Sequence, residues 1–577
     1  MIPIVILYVW SFPYFELLNS PNEVVRLYMT IAIGDHGSYD IEPVCRRYTW
    51  VNDRSVVGDR AYSSKAPGAS LAAVPFYLMA KGWAAIRGSP LERSEIVRWL
   101  RLTVCVIPAL VFLFAFRRFT STLGYSPFVR DAVFVGTALG TPAFTYVHQF
   151  AGHVPAACSL FGAYIVLDGA RRRGGWSAWR SAWFGCLLAT APVMDYQALV
   201  PGLVVGGAFL LERASRRPAV LLPAVAGGAL PLSFMAHFHW SAFGSPLRTG
   251  YAFIENPGFQ MMLSEGWMGL TYPHIDRLIK LLVSTDNGLF FYSPFLLFGL
   301  LVLPLAPALW RAAGRDSALL RHVVVSAGVV VTLVLFIASN ISWSAGWTAG
   351  PRYLTPLMPF ASLLALVGLG EADRIWGAPA RAAALTCVLL AVFFSGVSGA
   401  VYPHLPVAFV NPIFEVLVPM LRDGFLPGNL GYDLGLRGVW GYVPALVLGL
   451  APLLAWLCVA SSRTTPGRAS ILASAVLAAA LFCQPFADFA RRAAMPPWGI
   501  NDLQGVYVSW HPADNIAYFE RCGCTIEDGN IWRMTCRDRI AKGRVLMRLG
   551  LKHLAVQYYH GGGGQTQSGT YTAVVVD

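Results

Sequence analysis

The sequence predicts an all-α polytopic membrane protein, and two observations support that prediction. Of its 577 residues, 56% are hydrophobic and only 13% are charged, with a mean hydropathy of +0.53, whereas a soluble chain carries about 25% charged residues. The net charge of +13 comes from short basic clusters between apolar runs, which is typical of membrane loops. These features exclude a soluble enzyme, a disordered chain and a fibrous repeat, and they give no support to a nucleic-acid partner.

Apolar runs of sufficient length predict about 13 transmembrane helices, since a crossing needs about 20 mostly apolar residues. With their flanks, the runs are 2–15, 102–116, 132–152, 154–167, 181–194, 196–211, 218–236, 287–310, 323–351, 353–370, 382–403, 438–462 and 469–487. Residues 2–15 lack the basic start and the cleavage site of a signal peptide, which favours a first span. Basic clusters follow every second span, so they can all face the cytoplasm. That orientation requires the apolar stretch 66–86 to be a periplasmic or interfacial helix.

This topology divides the chain into a membrane domain, 1–487, and an extracytoplasmic C-terminal region, 488–577. Within the membrane domain, residues 17–98, 238–286 and 401–437 form the large outer segments, while the inner loops are short and basic. Such asymmetry predicts that the chemistry lies on the outer face. The tail carries Cys522, Cys524 and Cys536, which we interpret as a disulfide or free thiols in preference to a metal site, because a fourth ligand at useful spacing is missing.

The first outer segment carries most of the candidate catalytic side chains. Asn22 can cap a helix, after which Glu23 and Arg26 share one helical face. This polar face could also be structural, with Glu23 and Arg26 paired to each other or to water. Asp40 and Asp53 follow in the same segment, and together with Glu23 they are the candidates for a general base.

A Tyr-Ser-Ser-Lys-Ala-Pro-Gly run, residues 62–68, links this segment to the apolar stretch that follows. Lys65 lies where an aqueous loop meets an apolar helix, and its compact ammonium group suits a phosphate. The alternative is that Lys65 reaches toward lipid head groups. The adjoining Pro-Gly turn fixes the direction of the lysine, which favours the phosphate interpretation, and Tyr62 is a candidate substrate contact.

Three further candidates lie at the outer ends of predicted spans. Arg352 begins a helix, where a guanidinium forms a good phosphate clamp. His153 could bind phosphate or a metal, or be a hydrogen-bonded histidine of the bundle. Asp195 is a candidate substrate contact, with helix capping as its structural alternative. Arg248 lies in the outer segment 238–286, which we expect to cover the cleft and name the cover segment.

The order and spacing of three motifs resemble a known group of enzymes, the GT-C glycosyltransferases that use polyprenyl-phosphate sugars. That group includes the protein O-mannosyltransferases and the aminoarabinose transferases. Uncharacterised bacterial members carry similar motifs, and the resemblance covers residues 20–370 but not 371–577. The motifs here are the 62–68 run, Phe-Gly-Ser-Pro-Leu-Arg-Thr-Gly-Tyr at 243–251 and Gly-Pro-Arg-Tyr-Leu at 350–354.

The resemblance implies a GT-C-like bundle in a bacterial inner membrane, with its active site on the periplasmic face. It implies inverting transfer of a sugar from a polyprenyl-phosphate lipid to an extracytoplasmic acceptor, which could be a protein, a lipid or an envelope glycan. The donor phosphate would be held by Lys65, Arg352, His153 and Arg26. One departure matters, because Asn22 stands where the family has a catalytic aspartate, and an amide cannot act as a base.

The role of base therefore moves to Asp53 or Glu23, with Asp40 behind them, and Asn22 becomes a substrate contact. The alternative hypothesis is a non-catalytic GT-C-like subunit, for which Asn22 is the main support. No nucleotide-binding motif occurs in the sequence, which agrees with a lipid-linked donor. The sequence requires no cofactor and leaves room for a divalent metal. The region 488–577 could dock on a partner in a membrane complex.

Overall fold

The computed structural model describes residues 1–11, 20–172, 174–304, 318–401, 403–405, 409–418, 421, 426, 428–436, 438–492, 523–526, 534–537 and 541. Helices make up most of this chain, as an all-α membrane protein requires. Nine of the helices in those ranges are long and apolar enough to cross a bilayer: Gly68–Arg87, Arg93–Ser121, His153–Arg172, Pro218–Phe243, Ala318–Ala338, Arg352–Trp376, Ala378–Ala400, Gly438–Ser461 and Thr465–Asp488.

The polytopic all-α class is confirmed, but the count of 13 spans is not. The run 132–152 is divided into helices Pro127–Leu139 and Pro142–Val147, because Pro142 lacks the amide hydrogen that would continue the first helix. The predicted pair 181–194 and 196–211 forms shorter helices, Ala178–Met194 and a stretch Tyr196–Leu210. The predicted runs 2–15 and 287–310 fall partly outside the described residues.

The placement of 66–86 outside the bilayer stays a prediction. Its helix, Gly68–Arg87, has the length and composition of a span, and these properties do not decide between a crossing and a surface position. Leu78, Met79, Trp83 and Ile86 are exposed on this helix, so its second half presents an apolar face to its surroundings. An interfacial helix and a lipid-facing span would both show that pattern.

Two helices at the centre of the bundle position His153 and Arg352. In Arg352–Trp376, 83% of the most apolar stretch is buried, against 11% in Thr465–Asp488, so the first helix is central and the second peripheral. Helix His153–Arg172 packs on it through Phe161 and Phe360, whose rings lie 4.8 Å apart. Because His153 and Arg352 are the first residues of these helices, the packing brings their N-terminal ends together.

Short elements make up residues 20–63 and much of the cover segment. A β-hairpin of Arg54–Val57 (β1) and Arg60–Ser63 (β2) is antiparallel, with Arg54 opposite Ser63 and Val57 opposite Arg60. Its tight turn contains Gly58 at φ +64°, a conformation that favours glycine. The neighbouring helical elements are Pro21–His36, Glu42–Arg47, Gly250–Phe253, Pro257–Ser264 and Ile275–Val283.

The remaining described elements complete the bundle and the tail. The helical ones are Ile2–Trp10, Leu289–Tyr292, Pro294–Leu301, Ile413–Leu417 and Leu430–Asp433. Strands Cys524–Ile526 and Met534–Cys536 pair in antiparallel fashion, and a disulfide joins Cys524 to Cys536. This agrees with the disulfide interpretation of the tail cysteines. Cys522 and most of the predicted region 488–577 lie outside the described residues.

Candidate functional site

Seven polar side chains from six chain segments meet at the N-terminal ends of the central helices. Five of them belong to residues that are only 3–8% exposed. The sixth is the side chain of Lys65, which is 11% exposed, and the seventh is the phenol of Tyr251. We call this set the polar cluster; its members are Arg26, Asp53, Lys65, His153, Asp195, Tyr251 and Arg352. Arg26 interacts electrostatically with Asp195, Tyr251, Asp53 and Arg352, so the cluster is a single group and not a series of separate pairs.

Two glycines allow the segments of the cluster to approach so closely. A Cβ on Gly152 would lie 1.8 Å from the carbonyl oxygen of Met194, and one on Gly68 would lie 2.6 Å from that of Val193. Both contacts are with rigid backbone, which cannot move aside as a flexible side chain could. The residue before His153 and the end of the Lys65 turn are thus packed against the two residues that precede Asp195.

Lys65 and Asp53 form a buried ion pair beside an aromatic ring. The Lys65 Nζ atom lies 3.3 Å from Asp53 Oδ2 and 5.3 Å from the centre of the Tyr251 ring. Burial, and then the charges of Asp53 and Asp195, raise the pKa of the Tyr251 phenol. Tyr251 therefore remains protonated at neutral pH and offers a hydroxyl donor to the cluster.

His153 and Asp195 form a dyad. His153 Nδ1 lies 2.5 Å from Asp195 Oδ2, and Asp195 also accepts a hydrogen bond from the Gln197 amide, 3.4 Å away. Burial acts to raise the pKa of Asp195, but the neighbouring His153 and Arg26 outweigh it and hold the pKa below its ordinary value. The carboxylate is thus ionised at neutral pH, and His153 donates its Nδ1 proton to it.

Arg352 is a buried guanidinium without a carboxylate partner among the described residues. It lies 5.8 Å from the ring centre of Tyr146 and 5.7 Å from that of Tyr353. Its Nη2 group donates a hydrogen bond to the carbonyl of Ala345, at 2.6 Å, and within the described chain its buried Nε finds no acceptor. A buried cation in this state is suited to bind an anion.

Arg26 is in a similar state. Its guanidinium donates to both the backbone carbonyl and the side-chain oxygen of Asn22, the former at 2.8 Å. In the part of the chain that the structure describes, no carboxylate lies within 4.0 Å of Arg26, and its Nε has no hydrogen-bond acceptor. Asn22 therefore orients Arg26 without placing a negative charge directly on it, which an aspartate at this position would do.

Glu23 is not placed in the cluster. Both of its carboxylate oxygens accept hydrogen bonds from Arg101 at 2.6 Å, and Oε1 also accepts one from the Phe150 amide at 2.7 Å. The pair is almost completely buried. Because these donors occupy the carboxylate, the geometry does not favour the predicted role of Glu23 as a base. The sequence analysis missed Arg101, since the pairing joins residues 78 positions apart.

Asp40, Arg248 and Tyr62 also lie apart from the cluster. Asp40 Oδ1 accepts hydrogen bonds from the amides of Glu42 and Ala61, at 3.0 and 3.1 Å, which is a turn-stabilising role. Arg248 is exposed on the cover segment. Tyr62 is buried on β2 with its ring packed against that of Phe243 at 5.8 Å, so its contacts are those of a core residue. Their predicted roles remain predictions that the geometry does not favour.

The cover segment is fixed to the β-hairpin. Arg54 makes two hydrogen bonds to Glu255, at 2.6 and 2.7 Å, and Trp50 donates a third at 3.0 Å. Ser55 Oγ donates to the Gly250 carbonyl at 2.7 Å, immediately before Tyr251. These bonds hold Tyr251 over Lys65. Tyr251 was not among the predicted site residues, although it ends the 243–251 motif and could have been chosen on that ground.

The described residues include no group of three or more histidine, cysteine, aspartate or glutamate side chains arranged to hold a metal ion. His153 and Asp195 are bonded to each other, and Asp53 is bonded to Lys65. The residues present therefore do not fit a divalent metal in this arrangement. The expectation that the site could take one stays a prediction.

Comparisons with known proteins give a distant likeness. No family model matches the chain, and no curated protein is similar to it. Two crystal structures of ArnT from Cupriavidus metallidurans are similar in fold. The apo structure shares 15% identity at a TM-score of 0.42, covering 87% of this chain and 78% of that one. The structure bound to undecaprenyl phosphate shares 14% identity at a TM-score of 0.41, covering 79% and 75%. At such values the likeness transfers neither activity nor site residues to this chain.

Proposed function

We propose that this protein is a membrane glycosyltransferase that takes a sugar from a polyprenyl-phosphate donor and transfers it to an acceptor on the extracytoplasmic face of a bacterial inner membrane. The observation that carries the proposal is the pair of buried guanidiniums, Arg26 and Arg352, that lack a carboxylate partner among the described residues. Such cations need an anion, and a phosphate accepts several of their hydrogen bonds at once.

The charges of the polar cluster agree with a phosphodiester. Three cations, Arg26, Lys65 and Arg352, face two carboxylates, Asp53 and Asp195. With His153 neutral, one positive charge is left over, and the phosphate of a sugar-phosphate lipid carries one negative charge. When the bond to the sugar breaks, a second negative charge develops on that phosphate. Cations already in place would stabilise it without rearranging, which is a main source of enzymatic rate enhancement.

An apolar cavity supports a lipid-linked donor. It measures about 890 Å³ and is lined mainly by Met79, Trp83, Ile86, Trp99, Leu102 and Leu430. The helix that begins just after the Lys65 turn supplies the first three of these residues, and Met79 lies about 16 Å along it at 1.5 Å per residue. A phosphate bound at Lys65 would thus leave its isoprenoid tail near a surface made of apolar side chains.

The test is transfer and binding with a panel of radiolabelled polyprenyl-phosphate hexoses and pentoses. Lys65→Ala and Arg352→Ala should each weaken donor binding by about 10- to 100-fold, the value of a lost hydrogen bond to a charged group. Lys81→Ala is the matched control, because Lys81 pairs with Asp35 on the adjoining helix, away from the cluster. If the wild-type protein neither binds nor transfers any donor of the panel, the proposal fails.

A second candidate is the non-catalytic subunit, for which Asn22 is the specific observation. Asn22 cannot accept a proton as an aspartate could, but here it orients Arg26. Donor binding without transfer to membrane acceptors and without release of free sugar to water would favour the subunit. The same label released as free sugar or built into a membrane product would favour the enzyme.

A further inference from the structure

We infer that His153, oriented by Asp195, is the group that takes the proton from the acceptor hydroxyl. The inference rests on the proposed function and names the residue that performs one of its steps. It starts from the absence of an aspartate at position 22 and from the arrangement of the dyad inside the polar cluster.

The His153 side chain is 3% exposed, and one of its nitrogens is occupied by Asp195 at 2.5 Å. The other, Nε2, is buried and has no hydrogen-bond partner within the described residues. A structural histidine in a helical bundle normally has both nitrogens satisfied, because an unmet buried nitrogen costs about 1–3 kcal/mol. An open Nε2 inside a cluster of phosphate-binding cations is therefore suited to a group that arrives with the substrate.

Asp195 determines which nitrogen is free to accept. Its ionised carboxylate can only accept hydrogen bonds, so Nδ1 must carry the proton of the neutral imidazole. The lone pair is then on Nε2, which is the nitrogen without a partner. This is the tautomer that a base needs, and fixing it is the role of the carboxylate in many histidine-dependent enzymes.

The surroundings place this lone pair beside the phosphate site. Arg352 and Arg26 interact electrostatically with His153, and the ring of Tyr353 lies 5.9 Å from the imidazole. Asp195 is the carboxylate that faces it. A sugar held by its phosphate on these guanidiniums would therefore bring its anomeric carbon close to the imidazole.

Asp53 and Glu23 are less suited to the same task. Asp53 Oδ2 lies 3.3 Å from Lys65, so protonating Asp53 would break the ion pair when Lys65 is needed for the phosphate. Glu23 is occupied by Arg101 and by the Phe150 amide. His153 can take a proton without losing its bond to Asp195, because Nδ1–H continues to donate while Nε2 becomes protonated.

The acceptor oxygen forms a bond to the anomeric carbon while the bond between that carbon and the phosphate oxygen breaks. The electron pair of the broken bond stays on the phosphate oxygen. The hydroxyl proton moves to Nε2 and gives an imidazolium, which Asp195 stabilises. The leaving polyprenyl phosphate carries one more negative charge, opposite Arg26, Lys65 and Arg352. The proton then passes to the departing phosphate or to water, which restores the neutral histidine.

The experiment measures turnover and donor binding separately in the full-length protein in detergent. His153→Gln should lower turnover by about 10²- to 10⁴-fold, the usual contribution of a general base, with donor affinity within about threefold of wild type. Asp195→Asn retains an oxygen for the helix cap but removes one negative charge from the cluster, so turnover should fall while donor binding does not weaken. In His153→Ala, added imidazole should restore part of the turnover.

Three results would overturn the inference. Wild-type turnover in His153→Gln would show that another group takes the proton. Loss of donor binding in proportion to turnover would show that His153 is a phosphate ligand. Turnover abolished in Asp53→Asn but retained in both dyad variants would assign the base to Asp53. If His153→Ala does not fold, His153→Gln decides. Failure of the proposed function differs from all three, because the wild-type protein itself would then neither bind nor transfer.

Discussion

Replacing Glu23 by glutamine should destabilise the protein strongly, whatever it does to catalysis. The carboxylate is bonded to Arg101 through both oxygens at 2.6 Å, with side-chain exposures of 3% and 4%. Removing one partner of a buried pair leaves the other charge poorly compensated, which costs about 3–5 kcal/mol. Glutamine keeps the volume of the side chain and can still accept the Phe150 amide, so the loss would come from the charge alone.

The assay is unfolding of the purified protein in mixed micelles by increasing SDS, for Glu23→Gln, Arg101→Gln and the double variant. The double variant should be less destabilised than the sum of the single variants, because neither charge remains. Glu95→Gln is the matched control: Arg87 binds that carboxylate through both oxygens at 2.9 and 3.0 Å, but the pair is about 40% exposed. Such a pair contributes about 0–1 kcal/mol.

One pattern would refute this interpretation of Glu23. If Glu23→Gln unfolds at the same SDS concentration as the wild type and the Glu95→Gln control, yet loses turnover, Glu23 takes part in the chemistry and does not merely hold the fold. A double variant destabilised by the full sum of the two single variants would show that the two charges do not interact across the pair. Either result would return Glu23 to the candidate bases.

Three further predictions concern the close contacts around the cluster. Gly152→Ala should give a protein that folds poorly or loses turnover, because its Cβ would lie 1.8 Å from a backbone oxygen, whereas Gly169→Ala on the helix that follows meets nothing within 4 Å; detergent-soluble yield and turnover would show the difference. Asn22→Asp should weaken donor binding by at least tenfold in the labelled-donor assay, because the new carboxylate would neutralise the guanidinium that it now orients; unchanged affinity would contradict this. The hydrogen bond from Arg54 is the largest of the effects that hold the pKa of Glu255 below its ordinary value of 4.5. The ion pair between Arg54 and Glu255 should therefore hold the cover segment fully above pH 4.5 and be lost as the pH falls through the lowered pKa of Glu255. An acid-stable protease should then cleave the cover segment faster. Glu255→Gln should show that faster cleavage already at neutral pH.

Sequence patterns predicted most residues of the polar cluster but did not predict which of them contact each other. Lys65 and Arg352 stand out because each is a lone cation where a loop meets an apolar helix, and that position alone predicts a buried cation at the outer face. The dyad needs more, because His153 and Asp195 are 42 positions apart and only helix packing brings them together. No local pattern specifies that contact, although Gly152 before His153 permits it.

The different roles of three carboxylates in the first outer segment could not be predicted from the sequence. Glu23, Asp40 and Asp53 follow the first span with similar local surroundings, yet the structure gives them three different environments. Glu23 is paired with Arg101, Asp40 supports a turn, and Asp53 faces Lys65. Arg101 lies 78 positions from Glu23, Ala61 lies 21 from Asp40 and Lys65 lies 12 from Asp53, so each environment depends on a contact that the local sequence does not specify. The same holds for the number of spans, since a proline such as Pro142 can divide an apolar run that composition alone would treat as continuous.

The polar cluster also has a consequence for the order of events during synthesis. Its residues extend from Arg26 to Arg352, so the site cannot close until more than half of the chain has been made. At about 5–20 residues per second, the interval between these two arginines is about 16–65 s. Throughout that time Lys65 and Arg26 are present without the helix that completes their surroundings. The nascent chain must therefore keep these cations in water or at the lipid head groups, and their burial is a late step that coincides with insertion of the central helix.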